Sequence, residues 1–124
     1  MNEFHVYLYG PAKGPIESSF ESAEMRLTEL PRLYFEPDGS FVWALDQGRQ
    51  QVFGMIYDAA GRIQYIELRG SCEKVTWRQL IGAATGSHST DYLVLKLPEQ
   101  RLQELQDFEL EHWLAGSTGA NERD

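Results

Sequence analysis

Apolar residues fill residues 33–69 in two consecutive blocks, each broken in the middle by turn-forming residues. The first runs Leu33-Tyr34-Phe35-Glu36, then Pro37-Asp38-Gly39-Ser40, then Phe41-Val42-Trp43-Ala44-Leu45. The second runs from Val52 to Tyr57, through Asp58-Ala59-Ala60-Gly61, and on from Arg62 to Leu68. Short runs rich in β-branched and aromatic residues, bounded by Pro, Asp and Gly, predict strands, and loops this short make each block an antiparallel hairpin. Pro37 presets φ, Asp38 tolerates the turn, and Gly39 permits positive φ. Asp58-Ala59-Ala60-Gly61 fits a type I turn closed by a left-handed glycine with a bulge at that glycine. Residues 46–50 join the hairpins and are expected to be exposed.

The flanks add further elements. Phe4 to Tyr9 alternates at period two and predicts a strand, ended by a Gly10–Pro15 loop. Residues 18–30 fit either a helix or a strand. Ser18 with Glu21 three residues on is a capping box, which favours helix, and Pro31 stops it. A helix is predicted over about 75–84 with Trp77, Leu80 and Ile81 on one face, and a strand over 92–97. Pro98 suits the first turn of a last helix over about 99–114, with Leu102, Leu105, Phe108 and Trp113 as its stripe. The expected fold class is α+β: an antiparallel sheet of five to six strands, two of its hairpins at 33–69, with two or three helices packed mainly on one face. Residues 1–115 form a single domain in this reading, followed by a flexible tail over 116–124.

If helices cover one sheet face, the other should read polar. It does not. Tyr7 and Tyr9 oppose Val6 and Leu8; Tyr65 opposes Ile66; Phe53, Met55 and Tyr57 oppose Val52, Gly54 and Ile56. Tyrosine suits a half-wet surface, because its ring buries area while its hydroxyl keeps a polar partner. The candidate contact surface is therefore Tyr7, Trp43, Tyr57 and Tyr65. Two other outcomes compete: the C-terminal helix or the Gly10–Pro15 loop covers this face, or a second copy does. Gly54, in mid-strand without a side chain, marks a bulge or a close approach.

The net charge of −8 narrows the partners. It sits on two segments, residues 17–29 and 99–124, while the rest balances. Such a chain repels phosphate backbones and anionic lipid, so neither nucleic acid nor a membrane surface is an expected partner. No apolar run approaches the ~18 residues of a membrane span. Residues 1–5 show no basic or apolar leader pattern, and one cysteine, Cys72, permits no intrachain disulfide. A cytoplasmic location is the expectation.

Candidate chemistry is thin. Cys72, His88 and Asp91 border one short helix and could form a nucleophile, base and orienting group, but a packed thiol and a solvated loop imidazole explain them more simply. Glu109 and His112 have the Glu-x-x-His spacing of carboxylate-bridged metal helices, in one copy where two are needed; an acidic solvated face is the plainer reading. Asp58 is explained by its turn and Glu67 by cross-strand partners. Gly82 to Gly86 lacks the Lys-Ser/Thr ending of a phosphate loop. Tyr57-Asp58-Ala59-Ala60-Gly61-Arg62-Ile63 resembles the hairpin unit of YD-repeat proteins, which build large β-shells around toxins. That match spans seven residues in one copy, turn chemistry accounts for it, and no family is assigned.

The sequence thus predicts a non-catalytic interaction or accessory protein, touching a protein partner or itself through the aromatic sheet face, with no catalytic or metal residues and no cofactor. The alternative is a small-ligand binding protein or minor enzyme, with a pocket between sheet and C-terminal helix. Cys72 and His88 join the candidate binding residues on that reading.

Overall fold

Seven strands make one antiparallel sheet in the order β2-β3-β4-β5-β1-β6-β7 in the computed structural model, which describes residues 1–87, 89 and 91–114, the last by its backbone only. The strands are β1 Phe4–Tyr9, β2 Leu33–Phe35, β3 Ser40–Leu45, β4 Gln50–Ala59, β5 Arg62–Ser71, β6 Leu93–Lys96 and β7 Arg101–Glu104. Three helices complete the α+β arrangement: α1 Phe20–Thr28, α2 Lys74–Thr85 and α3 Leu105–Glu109, which runs on as a wider π turn over Leu110–Leu114. The expected tail over 116–124 lies outside the described residues.

The hairpins at 33–69 form as the pattern predicts, and β1 docks between β5 and β6 to knit the two halves of the chain. Asp38 Oδ1 accepts from both the backbone N–H and the hydroxyl of Ser40, at 2.9 and 2.7 Å, closing the first turn. The second turn differs from expectation. Ala59 pairs with Arg62, so the loop is only Ala60-Gly61, and both residues have positive φ, 55° and 76°. That is the signature of a type I′ turn, whose twist matches the strands it joins. The bulge lies not at Gly61 but where the register shifts, between the Tyr57–Tyr65 and Asp58–Ile63 pairs.

Helix α1 settles the ambiguity of 18–30, with its cap one residue later than expected. Ser19, not Ser18, is the N-cap, and its hydroxyl accepts from Ser22 N–H at 3.1 Å. Ser18 instead accepts from the Arg26 guanidinium, which also donates to the Ala83 carbonyl near the end of α2, tying the helices together. The larger correction concerns 99–114. Residues 101–104 are a seventh strand paired with β6, so Leu102 leaves the helical stripe and is an exposed strand residue. Pro98 follows a cis peptide in the β6–β7 turn rather than opening a helix. Gln50, expected to be exposed, is buried, and its side-chain oxygen accepts from Glu73 N–H at 2.9 Å.

One core lies between the sheet and the helices. Phe4, Val6 and Leu8, Phe41 and Trp43, Val52 and Ile56, and Ile66 and Leu68 point into it from four strands. Ala23 and Leu27 meet them from α1, Trp77, Leu80 and Ile81 from α2, and Leu105 and Phe108 from α3. Gly54 is a close approach: it pairs with Phe41, and a Cβ there would stand 2.0 Å from the Phe41 ring.

Candidate functional site

Strand parity decides the other face. With Val6, Leu8, Val52, Ile66 and Leu68 turned inward, their alternate neighbours all turn outward, because side chains switch faces at every residue. The registers arrange these neighbours in three cross-strand rows. Tyr34, Val42, Phe53, Arg69 and His5 form the first; Met55, Glu67, Tyr7, Leu95 and Leu102 the second; Tyr57 and Tyr65, with Tyr9, Leu93 and Glu104 beyond them, the third. Tyr34 is 68% exposed, Phe53 46%, Leu102 46% and Tyr57 37%. The helices pack on the opposite face, and the Gly10–Pro15 loop reaches only the margin, where Lys13 Nζ stands 5.4 Å from the centre of the Tyr9 ring. The expected cover by a C-terminal helix does not occur among the described residues.

The tyrosines form a contiguous cluster. Tyr57 stacks on Tyr65 with ring centres 4.6 Å apart, and Tyr65 meets Tyr7 and Tyr9 at 5.1 and 5.5 Å. Glu67 lies beside them and is held from two sides. His5 Nε2 meets its Oε2 at 2.6 Å, and the Tyr57 hydroxyl donates to its Oε1 at 3.3 Å. Partial burial and then the Glu67 charge push the Tyr57 phenol above its ordinary pKa, so it remains a donor near neutral pH. The Tyr9 phenol is raised as well, first by burial and then by Tyr65 and Tyr7. Arg69 places its guanidinium 5.9 Å from the Phe53 ring centre. A shallow depression of about 210 Å³ opens here, lined by Phe53, Gly54, Met55, Glu67 and Arg69. No family model, curated protein or solved structure matches this chain.

Tyr7, Tyr57 and Tyr65 are thus brought together as the sequence reading expected. Trp43 is not with them. It pairs with Leu33 and Val52 on the inner face, buried, and its indole N–H donates to the Pro31 carbonyl at 2.8 Å. His88 lies outside the described residues. Cys72 is buried, its thiol is pushed up to about 12 by burial and then by Glu73, and it carries no thiolate at neutral pH. Asp91 is exposed and lines a cleft of about 550 Å³ between the Pro11–Glu17 segment and the end of α2.

Glu109 departs most from its expected place. It is not on a solvated face but 5% exposed, where its Oε2 accepts from Trp77 Nε1 at 2.9 Å and pairs with Arg78 at 2.7 Å. His112 packs against Phe108 and Phe4, and burial lowers its pKa below the ordinary value. Among the described residues no three His, Cys, Asp or Glu side chains are grouped to hold a metal. Sequence reasoning put His5 and Phe53 on the outer parity but did not name them among the candidate contact residues. The signal was present in both cases, since His5 shares parity with Tyr7, and Phe53 with Tyr57.

Proposed function

We propose that this protein is a non-catalytic interaction module that contacts protein through the outer face of its sheet. The observation that carries the reading is the exposure of that face: a sheet with helices on one side leaves Tyr34, Phe53, Tyr57 and Leu102 uncovered on the other. Sheet faces turned to water are ordinarily polar, and contiguous exposed apolar surface marks interaction sites. The buried, un-ionised Cys72 thiol supports a packing role over a nucleophilic one. A location in the cytoplasm belongs to the same proposal; among the described residues no helix is long and apolar enough to cross a membrane.

The test is size-exclusion chromatography of the tagged chain in an extract of its own cells. Phe53→Asp on the outer face should shift it from a complex to its own mass. Met25→Asp on α1, where Met25 is 68% exposed, should leave the complex intact. The reading fails if Met25→Asp dissociates the complex and Phe53→Asp does not.

A further inference from the structure

We infer that the occupant of the outer face is a second copy of this chain, the two sheets stacking face to face about a two-fold axis. This rests on the reading that the outer face is a contact surface, and it goes further by naming what covers it.

Away from the β7 edge, where Glu104 is exposed, the charges on the face have partners within the chain. Glu67 is held by His5 and Tyr57, Arg69 stands over Phe53, and Lys13 over Tyr9. Covering a charge is costly when its partner is missing, and here the partners are covered along with it. At Glu67, Phe53 and Tyr9 the same pairings argue against a basic ligand. Such a ligand would seek a free carboxylate or an open ring face, whereas Glu67 has a partner at each oxygen and the chain's own cations stand over Phe53 and Tyr9. A largely apolar face whose central charges are paired fits a surface of the same kind, and a second copy supplies one.

Among the described residues the helical side is the more acidic: residues 17–29, which include α1, carry four acids against Arg26, and residues 105–111 carry Asp107, Glu109 and Glu111, against which α2 sets Lys74 and Arg78. Face-to-face stacking puts both helical layers outermost. The two sheets alone would separate them by ~10 Å, beyond the ~8 Å over which charges are felt at physiological ionic strength. Edge-to-edge growth of the sheet is poorly offered. Edge strand β2 has three residues between Pro31 and Pro37, and β7 has four, with Arg101 and Glu104 at its ends. Short, charged or Pro-flanked edges discourage pairing.

Seven strands at ~4.8 Å spacing and six residues at ~3.3 Å give a footprint of roughly 600 Å² per copy, below the ~800 Å² of a standard stable interface. A face of that size fits a reversible dimer rather than a permanent one.

Analytical ultracentrifugation of the purified chain over a concentration series tests this. The weight-average mass should rise from one chain toward two. Phe53→Asp and Tyr65→Glu should each weaken association by about tenfold or more, while Met25→Asp leaves it unchanged. Tyr34→Asp, at the most exposed large apolar side chain of the face, replaces either variant that loses its native circular dichroism. A wild-type chain that stays monomeric at every concentration overturns the second copy alone, and the contact reading is then decided by the extract experiment above. A dimer indifferent to all the outer-face substitutions, or one broken only by Met25→Asp, overturns both.

Discussion

Glu109 carries more structural weight than any other carboxylate among the described residues. It neutralises Arg78 and satisfies the buried Trp77 N–H with a single oxygen, and it joins α3 to α2. Removing the acceptor of a buried donor costs the desolvation of that donor, whereas the Arg78 guanidinium is partly exposed. Glu109→Ala should lower unfolding free energy by roughly 1–3 kcal/mol. Glu109→Gln, which keeps an acceptor for Trp77, should cost less. Urea denaturation of the three proteins checks the ranking, and equal midpoints would contradict it. Cys72 makes an independent residue-scale test. Buried and pushed up to about 12, its thiol should resist iodoacetamide at pH 8 in the native protein and react at the free-thiol rate once unfolded. Native labelling at the unfolded rate would contradict that burial.

Among the elements, the β4–β5 hairpin holds a strained position at its tip. Ala60 has φ of 55°, where a side chain is disfavoured and glycine is not. Ala60→Gly should raise stability by about 1 kcal/mol without changing the fold. A lower midpoint in thermal unfolding would show that the turn is not type I′. The hairpins were legible because turn residues and period-two patterning agree over long strands. The outer parity of Tyr7, Tyr57 and Tyr65 was legible from the same alternation. Trp43 was not, because Val42 and Ala44 on the other parity are also apolar, and only pairing with Leu33 and Val52 shows which side turns inward. The 99–114 segment misled for a related reason. Leu102, Leu105 and Phe108 fit a helical stripe, yet a four-residue strand is too short to display its own period, and Pro98 suits a turn as well as a helix start. Glu109 was read as solvated because its partners, Trp77 and Arg78, are thirty residues away and invisible to local pattern.

The whole molecule is two-sided. Helices, of which α1 and α3 are acidic, cover one face of the sheet, and tyrosines with an internally paired Glu67 form the other. That separation keeps like charges away from whatever meets the aromatic face, and it is why interaction at that face is the central claim. It also places the claim beyond sequence alone: alternation shows that two faces are apolar, but only the packing of α1, α2 and α3 shows which one stays uncovered. The most direct measurement is site-specific photo-crosslinking in the source cells, with the reactive side chain at Phe53 in one variant and at Met25 in the other. The account predicts protein adducts from Phe53, including an adduct of two chains, and few or none from Met25. Adducts from Met25 with none from Phe53 would contradict it.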